Sequence, residues 1–153
     1  MTSVEQAASS NTEEVRAFMA RSAIVPQVPF TYPALAEAPL VLCVDDEPAI
    51  LELLEDVLTA CGLRPLCTDD CNLALTLCEE PIDLVVLDYH MPQMDGLTLA
   101  TKIRERNPNL PMIFFSGAPL PVESLAHASR VVHKSEGAMR LATTILQSIR
   151  ARV

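Results

Sequence analysis

The sequence predicts an α/β protein built on a doubly wound parallel sheet of five strands. Three observations predict it. Short, continuous apolar runs recur from residue 40 onward, as expected of strands buried on both faces. Amphipathic stretches of helical period separate them. Turn and cap residues fall at the joins, so strand and helix alternate five times. The chain has 153 residues, half of them hydrophobic, which suits one domain with a real core. With two Tyr, four Phe and no Trp, that core is mostly aliphatic.

LVLCV (40–44) reads as the first strand. Pro48 opens a helix whose face carries Ile50, Leu54, Val57, Leu58 and Cys61, and Gly62 closes it. LRPLC (63–67) is the second strand, and Pro65 places it at a sheet edge because proline cannot donate to a ladder. Asp69 or Asp70 caps the next helix, with Cys71, Ala74, Leu75 and Cys78 inward. IDLVVL (82–87) is the third strand, and Leu97 to Arg106 the helix after it. PMIFF (111–115) is the fourth strand. Pro119 to Ala128 has room only for a shortened fourth helix. RVVH (130–133) is the fifth strand, and Ser135 to Ala151 the last helix, with Met139, Ala142, Ile145, Leu146 and Ile149 on one face. Right-handed crossovers and an edge position for strand two give the order 2-1-3-4-5.

Residues 1–38 form a different region, an N-terminal extension before a domain at 39–153. It carries no Gly, ends in spaced prolines at Pro26, Pro29 and Pro33, and holds Phe18, Phe30 and Tyr32. Val15, Phe18, Met19 and Ser22 suit a short helix, followed by an extended arm. The aromatics favour an arm that packs on the domain or a partner over a loose tail.

A net charge of −9 speaks against nucleic acid and anionic membranes as partners. No apolar run is long enough to span a bilayer, and no signal peptide is visible, so a cytoplasmic location is expected. The five cysteines are odd in number and form no CxxC, so reduced packing thiols are expected rather than a disulfide framework or zinc site.

Ligands of such sheets bind at the carboxyl ends of the strands. There strand one ends in Asp45-Asp46-Glu47, strand three in Asp88, strand four in Ser116 and strand five in Lys134. Crowded carboxylates need a proton or a cation, and Mg2+ is the fitting hard ion. Carboxylates, a metal, a hydroxyl and a lysine make a phosphoryl-transfer site with Asp88 supplying the attacking oxygen.

These residues lie in four motifs, VLCVDDEP (41–48), LVVLDYHMPQMDG (84–96), IFFSG (113–117) and VVHK (131–134). In kind and order they resemble the receiver domains of two-component response regulators, whose flavodoxin-like fold has the order inferred above. The resemblance covers residues 39–153. It implies that Asp88 is the phospho-acceptor, and that Asp46, Asp88 and the backbone carbonyl of His90 bind Mg2+, with Asp45 acting through water. It implies that Ser116 and Lys134 contact phosphoryl oxygens. Met91-Pro92 and Asp95-Gly96 shape the turn after the acceptor, Gly96 suited to positive φ, while Met91 and Met94 read as loop packing. His127 reads as solvent-facing and His133 as a partly exposed strand residue.

Three positions depart from the family pattern. Val131 replaces the usual switch aromatic, Ser135 replaces the proline after the lysine, and the segment from Ser116 to Lys134 is short. With only Ala151-Arg152-Val153 after the last helix, the expected protein is a stand-alone response regulator and not an enzyme. Its expected partners are a sensor histidine kinase or phosphotransfer protein and a downstream protein reached by contact. Two rivals remain. One is a receiver-fold interaction module that signals without phosphorylation. The other is a haloacid-dehalogenase-like phosphatase, which would carry a second Asp where this chain has His90.

Overall fold

The structure, a computed structural model, describes residues 37–152. The helix and arm expected within residues 1–38 fall, but for the last two positions, outside the described residues. Strands β1 (Leu40–Val44), β2 (Arg64–Thr68), β3 (Leu84–Leu87), β4 (Met112–Ser116) and β5 (Arg130–His133) form one parallel sheet in the order β2-β1-β3-β4-β5. Helices α1 (Pro48–Ala60), α2 (Cys71–Leu77), α3 (Gly96–Arg106) and α4 (Ala138–Arg150) cover its faces. The doubly wound architecture is as the sequence predicts, with β2 and its Pro65 at the edge.

The strands read as unbroken apolar runs because both faces are buried. Along β1, Leu42 and Val44 pack with α2 and α3, beside Leu75, Leu99, Ile103 and Phe114. Val41 and Cys43 point the other way, to Leu54, Leu58, Leu141 and Ile145 of α1 and α4. Each fully buried Leu or Ile contributes about 1.5–3 kcal/mol relative to exposure. Asp70, the second of the two cap candidates, holds α2: its Oδ1 accepts the Asn72 and Leu73 N–H groups at 2.8 and 3.2 Å. Asp95 does the same for α3, accepting the Thr98 N–H at 2.7 Å. Gly62 closes α1 at φ 81°, the left-handed conformation expected of it.

The shortened fourth helix is a single 3-10 turn, Val122–Ala126. Its apolar side chains Val122 and Leu125 are 79% and 52% exposed, whereas Ser124 is fully buried with no partner for its hydroxyl.

The last helix differs from expectation in two ways. It begins at Ala138, not Ser135, because Gly137 takes φ 88° and interrupts the chain. Lys134–Glu136 instead forms a 3-10 turn, in which Glu136 accepts the His133 N–H at 2.7 Å. Met139 is exposed rather than inward: the buried stripe runs through Ala138, Leu141, Ala142 and Ile145, one position round the helix from it. No cis peptide occurs among the described residues, so the Lys134–Ser135 bond is trans. His127 is half-buried rather than solvent-facing: its ring lies 3.5 Å from Thr101 Oγ1 and its carbonyl accepts from Arg104. His133 is partly buried, as read.

Candidate functional site

Parallel pairing brings the C-terminal ends of β1, β3, β4 and β5 to one edge of the sheet. Asp45, Asp88 and Ser116 stand there at 2%, 4% and 1% exposure, unusually deep for polar groups. Lys134, just beyond β5, reaches across to them. Its Nζ lies 2.8 Å from Asp45 Oδ2, 3.1 Å from Glu47 Oε1 and 3.6 Å from Asp88 Oδ2. The Glu47 N–H donates to Asp45 Oδ1 at 2.9 Å, fixing that carboxylate from the other side.

Burial decides the acid–base state of the pocket. It pushes the Asp88 carboxyl up from 3.8 to about 6, helped by the Asp45 charge and opposed by Lys134 and the His90 backbone N–H. Burial also raises Asp45, although its hydrogen bond to Lys134 pulls the other way. For Lys134 burial alone would lower the pKa, but Asp45, Glu47 and Asp88 together outweigh it and the ammonium is held above 10.5.

Asp45, Glu47 and Asp88 each present an oxygen within 4.8 Å of the others. An all-carboxylate oxygen set suits a hard divalent cation rather than zinc or copper. Glu47 is a member that the sequence reading placed at the strand end without a role; its position directly after the Asp pair was the available signal. Asp46 is half-buried and lines an adjoining cavity of about 200 Å3 with Asp69, Cys71, Met91, Pro92 and Gln93. Its charge still raises the Asp88 pKa.

Ser116 is at the expected strand end, but its hydroxyl is turned to its own loop, accepting from the Ala118 N–H at 3.3 Å. The His90 backbone N–H acts to lower the Asp88 pKa, while the residue itself is exposed. Met91 packs in the core and Met94 against it, as read.

Gly96 serves this site differently from expectation. Its φ is not positive. Glycine is required there because an added Cβ would collide with the Asp88 carbonyl and come within 2.8 Å of Tyr89 Cα. The Gly96 N–H meanwhile donates to the Tyr89 carbonyl at 2.7 Å. Gly96→Ala is therefore expected to displace the backbone that carries Asp88. The expected loss is about 1–3 kcal/mol, as for overpacking in a tight core, with a fall in phosphoryl uptake. Urea denaturation and acetyl phosphate labelling check this; an alanine variant matching the unchanged protein in both would show that the contact yields freely.

Comparison with known proteins agrees with this arrangement. Residues 41–145 match the family described as the response regulator receiver domain. The sensor histidine kinase GacS of Pseudomonas protegens is 41% identical over 95 residues, covering 61% of this chain and 10% of the kinase. The transcriptional regulatory protein AruR of Pseudomonas aeruginosa is 40% identical over 79 residues, 48% of this chain and 32% of that protein. This chain thus spans a small part of either relative. A response regulator receiver protein from Sinorhizobium medicae superposes with a TM-score of 0.67 at 28% identity, covering 77% of this chain and 99% of the other. An open parallel sheet in the order 2-1-3-4-5, an acidic cluster at its carboxyl edge and a match over most of the domain lead to one conclusion: the chain belongs to the response regulator receiver domain family of two-component systems.

Proposed function

We propose that this protein is a response regulator in which Asp88 accepts a phosphoryl group from the phosphohistidine of a sensor histidine kinase or phosphotransfer protein. The observation that carries the reading is the buried Asp88 carboxylate, facing the Lys134 ammonium at 3.6 Å within an acidic pocket. An Asp88 oxygen attacks phosphorus, the phosphorus–nitrogen bond breaks, and the imidazole nitrogen keeps the electron pair and takes up a proton. Lys134 stabilises charge on the transferred group. Ser116 supplies a hydroxyl donor once it leaves Ala118.

Asp45, Asp46 and Asp88, with Glu47 and the His90 carbonyl at hand, are the residues to hold Mg2+. Bound there, Mg2+ supplies positive charge against the phosphoryl oxygens. The residues' own part is to keep Asp88 ionised and aimed. The protein assists its own phosphorylation and dephosphorylation and is otherwise no enzyme. It works in the cytoplasm and passes its signal by protein contact.

A second reading, a module that signals without phosphorylation, draws on Val131. It stands exposed on β5 where the switch aromatic is usual, so no ring is present there to change position. One experiment separates the two. Acetyl phosphate with Mg2+ is expected to leave a single hydroxylamine-labile acyl phosphate on Asp88, found by peptide mapping. The yield is expected to fall as pH drops through about 6, because the protonated carboxyl is a poor nucleophile. Absence of label at every pH, with no response to beryllofluoride, would favour the second reading.

A further inference from the structure

Cys43 and Cys67 stand opposite each other as register partners on β1 and β2. Both side chains pack on the α1 and α4 side of the sheet, with the Cys43 Sγ 4.0 Å from the Val41 carbonyl. Neighbouring strands run about 4.8 Å apart, inside the Cα separation of about 4.4–6.8 Å that a disulfide spans. Among the strand registers this is the one pair of facing cysteines, and all five cysteines are free thiols.

The two members are not equivalent. Cys43 is fully buried on an inner strand. Cys67 lies on the edge strand, only partly buried, with its Sγ 3.8 Å from the Leu51 carbonyl. Cys67 is therefore the more accessible residue of the two. That is the layout of an attacking thiol beside a resolving thiol.

We infer that Cys43 and Cys67 form a peroxide-oxidisable dithiol that closes to an intrachain disulfide between β1 and β2. The Cys67 thiolate attacks one oxygen of hydrogen peroxide. The oxygen–oxygen bond breaks, and hydroxide leaves to become water. Cys67 is then a sulfenic acid. The Cys43 sulfur gives up its proton and attacks the Cys67 sulfur, the sulfur–oxygen bond breaks, and a second water leaves. Two thiols are oxidised and one peroxide is reduced. A dithiol reductant reverses the change.

The bridge has a structural consequence. Cys67 precedes Thr68, whose carbonyl accepts the Asp45 N–H at 3.3 Å, and Cys43 lies two residues before Asp45. Closure therefore acts on the backbone that holds a carboxylate of the acidic pocket. The inference stands whether or not Asp88 is phosphorylated.

The test treats the full chain with hydrogen peroxide, blocks remaining thiols with N-ethylmaleimide in acidic urea, and maps peptides without reduction. The expected product is a Cys43–Cys67 linked peptide, absent after dithiothreitol, with Cys61, Cys71 and Cys78 blocked. In Cys43→Ser the bridge is lost and Cys67 gives a dimedone adduct. In Cys67→Ser, Cys43 stays a blockable thiol. The unchanged chain decides the matter even if a variant folds poorly. Recovery of both Cys43 and Cys67 as blocked thiols after peroxide, or linkage of Cys67 to a second copy of the chain, overturns the proposal.

Discussion

Asp88→Asn is expected to take up no phosphoryl group from acetyl phosphate and yet to melt several degrees above the unchanged protein at pH 7. The first half follows from removing the attacking oxygen: an amide has no carboxylate lone pair to form the acyl phosphate. The second follows from burial. The folded protein holds the Asp88 proton up to about pH 6, whereas the unfolded chain releases it near 3.8. Between those values the folded state binds more protons, so stability declines as pH rises through that window and stays reduced above it. Two pKa units correspond to about 3 kcal/mol as an upper value. Asparagine removes the charge and with it this cost. Melting curves from pH 4 to 8 check the sign: the gap between variant and unchanged protein should widen as pH rises through 4–6 and then level. A gap constant with pH, or a less stable variant at pH 7, would mean that the Asp88 charge is stabilising.

Lys134→Ala is expected to show the opposite pattern and to lose most phosphoryl uptake. Its ammonium is the partner of Asp45, Glu47 and Asp88, and two of these are nearly sealed from water. Breaking such a pairing leaves charge buried without a counterion, at a cost of about 3–5 kcal/mol. In the unchanged protein Lys134 has a raised pKa, so its contribution is fully present below pH 10.5 and is lost as pH rises beyond that. In the variant Asp45 and Asp88 are pushed further up, so the deficit is large at pH 8 and shrinks toward pH 5 as they take protons. Added Mg2+ should recover part of the loss at pH 8. A variant equally destabilised at pH 5 and 8, and indifferent to Mg2+, would point to lost packing by the lysine stem instead.

How much of this was legible depended on which physical signal each residue carries. The strands were legible because a run such as LVLCV has no other comfortable place than a sheet covered twice. The edge position of β2 was legible through Pro65, since one missing N–H has a single geometric meaning. The start of α4 was not, because helical periodicity continues backward through Ser135 and Glu136. Only the conformation of Gly137 breaks it, and that angle has no counterpart in the pattern. Met139 was misplaced because a period of about 3.6 fits either it or Ala138 on the stripe with Ala142 and Ile145. The Asp45, Asp88 and Lys134 cluster was legible from strand ends alone. Glu47 was not, since its carboxylate joins the site through a lysine far along the chain. Gly96 was legible as a necessary glycine but for a different cause, crowding against the Asp88 carbonyl rather than backbone sign.

The bridge between Lys134 and Glu47 joins positions 87 apart in the chain. The acids that Lys134 meets follow β1 and β3, both made well before the last strand, and the lysine follows β5. A contact that distant requires most of the chain to be closed into a loop before it forms. Its stabilisation therefore falls after the folding barrier and is felt mainly in how slowly the native state opens. Stopped-flow chevrons of the unchanged protein and Lys134→Ala should accordingly differ in the unfolding limb and nearly coincide in the refolding limb. The same order of events means that a nascent chain carries a bare cluster of acids until its final strand arrives. For this protein the lysine is a latch that sets the lifetime of the folded state, not a seed from which folding begins.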